Sequence, residues 1–204
     1  RYSTNTFPTW SLAQPFRTIA HNGEINTLKG NKNWMAAHEP RLNHPNFGKS
    51  ISDLKPIIDP AASDSAALDP ALELLVFSNR TLPMAKIMTM PEAWAHRRDF
   101  SKKLKDLYAY VNAVMEPWDG PAAICGYHDE WAIAGMDRNG LRPLRYILTD
   151  NFLIAGSETG MVDIDESKVI EKGRVGPGQI IGINFEQKKF YNDQKIKNLL
   201  SSSK

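Results

Sequence analysis

The chain has 204 residues, of which 42% are hydrophobic and 24% charged, proportions that exclude wholesale disorder. Its 25 Lys and Arg against 23 Asp and Glu leave a net charge of +2, too balanced to indicate nucleic acid or an anionic membrane as partner. One cysteine, Cys125, excludes a disulfide framework and any multi-cysteine zinc or iron–sulfur site built from these residues.

A reducing, cytoplasmic compartment is therefore expected. No apolar run is long enough to predict a membrane-spanning helix, and no signal peptide is readable. Arg1 opens the sequence without an initiator Met, and Arg1-Tyr2-Ser3-Thr4-Asn5-Thr6 already reads as working sequence, so the chain is expected to be part of a longer protein.

Residues 1–62 are rich in Pro, Asn and Gly and predict ordered loops around short elements. Within them, His21-Asn22-Gly23-Glu24-Ile25-Asn26 reads first as an Asn-Gly turn. The same pair can also present a side-chain amide and a backbone N–H to one side, which are the two donors of an oxyanion hole. Arg1 beside Ser3 and Thr4 is either solvated or a carboxylate clamp.

From residue 66 to 115 the period becomes helical. Asp69-Pro70 predicts a helix start, with Leu72, Leu75 and Val76 on one face. In Ser63-Asp64-Ser65-Ala66, Asp64 reads as a helix cap or as a carboxylate holding a cationic amine. A short helix is expected over 82–88 and a longer one over 100–115, where Phe100, Leu104, Leu107, Tyr108, Val111 and Val114 keep 3–4 spacing.

After Pro121 strands are predicted at 122–127, 131–136, 145–148, 152–155, 179–184 and 189–191, separated by turn signals such as Asp129-Glu130 and Asn139-Gly140. Helices followed by a strand meander indicate an α+β fold with antiparallel sheet. Asp137-Arg138-Asn139-Gly140-Leu141-Arg142-Pro143 reads as a turn with solvated arginines. Cys125 sits in an apolar run and reads as a core residue, not a nucleophile. The five histidines lack metal-site spacing. The serines at 201–203 read as linker.

Taken in order, Arg1-Tyr2-Ser3-Thr4-Asn5-Thr6-Phe7-Pro8, His21-Asn22-Gly23-Glu24-Ile25-Asn26-Thr27, Ser63-Asp64-Ser65-Ala66, Trp118-Asp119-Gly120-Pro121, the motif at 137–143, Gly156-Ser157-Glu158-Thr159-Gly160 and Gly176-Pro177-Gly178 resemble the class II glutamine amidotransferase domain of the glutamate synthase large subunit. The resemblance implies an N-terminal-nucleophile hydrolase fold: a four-layer αββα sandwich, here incomplete at its N-terminus. Residues 1–187 would be the C-terminal portion of that domain, and 188–204 a last strand and a linker towards the next.

By the same resemblance, an N-terminal cysteine thiolate attacks the side-chain amide of glutamine, ammonia leaves, and water releases glutamate from the thioester. Asn22 and Gly23 match the oxyanion hole. Arg1 matches the arginine that binds the α-carboxylate, with Thr4 beside it, and Asp64 matches the carboxylate that holds the α-amino group. The nucleophilic cysteine has no match among these residues, and Cys125 cannot replace it because the mechanism uses the cysteine's own α-amino group as base. The chain alone is therefore expected to be inactive.

In a longer protein the ammonia would pass to a flavin-binding synthase domain that converts 2-oxoglutarate to glutamate. FMN and an iron–sulfur cluster are expected there and no cofactor in this chain; a small NADPH-oxidising subunit is an expected partner. Alternatives are a class II amidotransferase feeding another acceptor, or a non-catalytic module of that fold.

Overall fold

The structure, a computed structural model, describes Tyr2 and residues 6–202. Among the described residues, eight strands and five α-helices follow in order as β1 (Ile19–Gly23), α1 (Leu28–His38), α2 (Asp64–Phe77), α3 (Leu82–Thr89), α4 (Lys102–Val114), β2 (Ala122–His128), β3 (Trp131–Met136), β4 (Arg145–Thr149), β5 (Leu153–Gly156), β6 (Val169–Arg174), β7 (Ile180–Asn184), β8 (Lys189–Tyr191) and α5 (Asp193–Ser202). The strands form a five-stranded sheet in the order β1-β2-β3-β7-β8 and a three-stranded sheet in the order β5-β4-β6. Every pairing is antiparallel. The predicted α+β class holds.

Alternation along β2 explains the layering. Ala122 and Ile124 face the helices and join a core with Leu68, Leu72, Leu82, Tyr108, Trp131 and Ile180. Ala123 and Cys125 face the other way, towards the smaller sheet, and meet Leu144, Tyr146, Leu153 and Val175. Small side chains at Ala123, Cys125 and Ala134 let the two sheets approach. Among the described residues this gives three layers: helices, the large sheet and the small sheet.

Side-chain caps fix three helix starts: Ser63 accepts from the Ala66 N–H, Thr81 from Met84 and Ser101 from Leu104. The start expected at Asp69-Pro70 lies six residues too late. Helix α2 runs through Pro70, and Asp69 is turned inward, 3% exposed, where its carboxylate accepts the backbone N–H groups of Arg17, Thr18 and Ile19 at 3.2, 2.9 and 2.9 Å. The carboxylate thus moors the start of β1 to the helix layer. Removing it strands buried donors, at about 1–3 kcal/mol each. Asp69→Ala is accordingly expected to destabilise the fold by ~3 kcal/mol or more. Chemical denaturation of the variant checks this, and a loss below about 1 kcal/mol would contradict the mooring role.

Where the serine-rich end suggested linker, Asp193–Ser202 is helical and buries Ile196 and Leu200. Its Lys197 is 2% exposed and pairs with Glu92 and, at 2.7 Å, with Asp193. Glu92 also accepts from the Tyr108 hydroxyl at 3.0 Å, tying α5 to α4. Nearby, the fully buried Lys86 donates to the carbonyls of Met90 and Gly178 at 3.2 and 3.3 Å, and burial lowers its pKa to about 8.

Candidate active site

The segment expected as a turn at Asn22-Gly23 is the end of an edge strand. Tyr127 N–H donates to Thr18 C=O and Glu24 N–H to Pro121 C=O, so even-numbered residues of β1 hydrogen-bond to β2. The odd-numbered residues turn their N–H groups to the free edge. His21 shows this directly, its N–H donating to Gln14 Oε1 at 2.6 Å on that side. Gly23 N–H follows two residues later in the same direction.

Glycine is demanded here twice. Gly23 has φ +155° and lies against Pro121, whose carbonyl oxygen would stand 1.8 Å from any added Cβ. Gly120 has φ +142°, and its added Cβ would lie 2.4 Å from Glu24 C=O. Asn26 N–H and Thr27 N–H both donate to Asp119 C=O, at 2.8 and 3.2 Å. The Trp118-Asp119-Gly120-Pro121 motif therefore serves as the backing against which the end of β1 is pressed.

Asp64 is the first residue of α2, with Ser63 as the cap, so its carboxylate is free for another use. It is 6% exposed, and Oδ2 accepts the Ile25 N–H at 2.9 Å. A carboxylate at a helix N-terminus is favoured by the partial positive charge there. His21 Nδ1 lies 2.6 Å from Ser65 Oγ and 3.9 Å from Asp64 Oδ2, the second too long for a hydrogen bond. Burial lowers the His21 pKa, with Asp64 acting in the opposite sense, so the ring is a neutral strut between β1 and α2 at neutral pH.

Asn22 points to the opposite face of the sheet from His21, and its Oδ1 accepts from an Arg142 guanidinium nitrogen at 2.9 Å. Asp64 lies on the helix side of the sheet, bonded to the backbone just past β1 at Ile25, whereas Asn22 turns its side chain to the other face. Arg1 and Thr4 lie outside the described residues. Of the predicted site residues, Asn22 and Gly23 end β1, and Asp64 reaches the backbone two residues beyond Gly23, at Ile25.

Sequence reasoning missed Arg142, taken for a solvated turn residue. Its loop is held by Asp137, which is 1% exposed and accepts from Asn139, Gly140 and Ala122 N–H groups at 2.8 Å each. Nothing local in the sequence marks an arginine that contacts a residue 120 positions away. Cys125 faces the space between the sheets, and burial raises its pKa, the reverse of an activated thiol. No group of three or more His, Cys, Asp or Glu side chains able to hold a metal lies together among the described residues. No described helix is long and apolar enough to cross a membrane.

An α+β fold with two antiparallel sheets, and an amide donor beside an edge-strand N–H, fit an amide-cleaving transferase. The chain belongs to the class II glutamine amidotransferases, whose family model matches residues 1–204. It is 56% identical over 205 residues to the glutamate synthase [NADPH] large chain of Azospirillum brasilense, covering 100% of this chain and 14% of that one. It is 46% identical over 200 residues to the ferredoxin-dependent glutamate synthase of Pyropia yezoensis, covering 97% and 13%. With the glutamate synthase [NADPH] large chain of Bacillus subtilis it shares 40% over 203 residues, covering 99% and 13%. The chain therefore spans only a small part of these relatives. Among solved structures, the glutamine phosphoribosylpyrophosphate amidotransferase of B. subtilis superposes with a TM-score of 0.45 at 21% identity, covering 85% of this chain and 28% of that one.

Proposed function

We propose that this chain is the glutamine-binding part of the glutaminase site of a glutamate synthase. Glutamine is held across the end of β1, with its α-ammonium at Asp64, its α-carboxylate at Arg1 beside Thr4, and its side-chain carbonyl at Asn22. The observation that supports this most is the free edge of β1. The Gly23 N–H and the Asn22 amide sit on consecutive residues with no further strand paired to β1 among the described residues, as suits donors to a developing oxyanion.

In this reading the thiolate comes from a cysteine outside these residues, since Cys125 is packed between the sheets. The chain alone is expected to hydrolyse no glutamine. Hydrolysis that disappears on Cys125→Ala would overturn that expectation and the core role of Cys125 together.

The remaining steps belong to the rest of the polypeptide. FMN and an iron–sulfur cluster would supply the reducing chemistry there; a single cysteine cannot ligate an iron–sulfur cluster by itself. A small NADPH-oxidising subunit is a further proposed partner and the cytoplasm the proposed compartment. The identities do not order by electron donor, because the B. subtilis NADPH chain, at 40%, falls below the ferredoxin enzyme at 46%. The identities therefore do not distinguish the donors.

An isotope experiment on the complete polypeptide separates this reading from an amidotransferase with another acceptor. Given amide-¹⁵N glutamine, 2-oxoglutarate and reductant, it should place the label in the α-amino group of newly formed glutamate. Label found only as free ammonium, or in another product, would contradict the assignment.

A further inference from the structure

We infer that Arg142 is a positioning residue for the oxyanion hole, acting through Asn22; the inference rests on the glutaminase reading above. An asparagine amide can present either its oxygen or its nitrogen to a substrate, and the two are close to isosteric. Only the nitrogen stabilises a developing oxyanion. A guanidinium carries donors and no acceptor, so the atom facing Arg142 at 2.9 Å has to be the amide oxygen. The Nδ2 donors are thereby turned away from Arg142. A flip would set an NH₂ group against a cation and is strongly disfavoured.

The arrangement is built before any substrate arrives. Asp137 clamps the first half of the loop through Asn139 and Gly140, while its own C=O accepts from Gly178 N–H at 2.7 Å. Gly140, at φ +64°, packs on Pro177 so closely that an added Cβ would sit 2.8 Å from its ring. Beyond Arg142, Leu144 is buried between the sheets and its C=O accepts from Val175 N–H at 2.9 Å. Both flanks of Arg142 are therefore fixed, and the arginine Nε is itself buried without a protein partner.

Arg142 has a second effect through the same bond. A charged donor on Oδ1 polarises the amide and makes its N–H groups better donors, as in other hydrogen-bond chains. The gain grows as charge develops on the substrate oxygen, so it belongs to the transition state and not to substrate binding. The ammonium of Lys would keep the charge but lose the planar fork that fixes the amide.

The test is a double-mutant cycle in the complete polypeptide, read as glutamate release from glutamine. Arg142→Met is expected to lower kcat about 10–100-fold with KM for glutamine changed less than threefold, the scale of losing a group that orients a ligating side chain. Arg142→Lys should recover part of that loss, and it also serves where the Met variant folds poorly. In an Asn22→Ala background, Arg142→Met should cost less than about threefold more, because the atom it positions is gone. Equal losses in both backgrounds, or a loss confined to KM, would overturn the positioning role. If Asn22→Ala itself leaves kcat unchanged, the glutaminase reading fails instead, and the two failures are distinguishable.

Discussion

In the complete domain, Asn22→Ala is expected to lower kcat for glutamine hydrolysis by about 10²–10³-fold with a much smaller change in KM, the cost of removing one oxyanion donor. The prediction follows from where the residue sits. Asn22 and Gly23 end an edge strand, so the sheet fixes the Gly23 N–H, and Arg142 holds the Asn22 amide. Ground-state glutamine has only a neutral carbonyl at that position. The interaction strengthens when the carbonyl becomes tetrahedral and anionic, which places its loss in kcat. A glutamine-mimicking alkylator should still label the attacking cysteine in this variant. Initial-rate kinetics across glutamine concentration check the split, and an effect on KM alone would refute it.

Asp64→Asn should do the reverse. Glutamine carries its α-ammonium before and during the reaction, so Asp64 contributes to recognition in both states. Losing a hydrogen bond to a charged group costs roughly 1.5–3 kcal/mol. KM is therefore expected to rise roughly tenfold to a hundredfold, with kcat changed far less. The substitution keeps an oxygen for the Ile25 N–H, which Asp64 Oδ2 now accepts at 2.9 Å. The local fold is retained, apart from about 0.3–1 kcal/mol lost from a charge at the start of α2. Should Asp64→Asn lower only kcat, the carboxylate acts on the chemistry and not on the ammonium.

The sheet was legible wherever tight turns separated it into hairpins. The hairpin of β2 and β3 falls where Asp129-Glu130 puts it and β8 over its expected residues, and Asp129 and Lys188 adopt the left-handed turn conformation, at φ 51° and 50°. Strand β1 was hidden because its partner lies about a hundred residues on, so no local pattern reports the pairing. Strand β6 reads as a surface segment: Glu171, Lys172 and Arg174 suit an exposed sheet edge, and charge there also blocks unwanted pairing.

Two helices were missed for related reasons. In α1 only Asn31 and Met35 are buried, and Asn31 is polar, satisfied by Thr27 and the Pro117 carbonyl. In α5 the buried Lys197 breaks the apolar stripe, and its partner Glu92 is distant in sequence.

The same logic governs the site. Asn22, Gly23 and Asp64 each had an ordinary local reading, and only their order among the other motifs suggested a shared role. Asp64 shows the ambiguity best. It stands where a cap would, but Ser63 takes the cap and leaves the carboxylate for the end of β1. Asp69 was assigned a start signal when its real partners are three backbone N–H groups some fifty residues earlier. Arg142 carries no local mark at all.

In the proposed complex glutamine lies across the end of β1, with Asp64 at its ammonium and Asn22 and Gly23 at its reacting carbonyl. A crystal structure of the complete domain, with a glutamine analogue covalently bound to the attacking cysteine, tests this most directly. The α-ammonium is expected within about 3.2 Å of the Asp64 carboxylate, and the former carbonyl oxygen within the same distance of Asn22 Nδ2 and Gly23 N–H. Arg142 should remain on Asn22 Oδ1. An analogue seated with its ammonium away from Asp64, or with Asn22 turned to offer its oxygen, would contradict this arrangement.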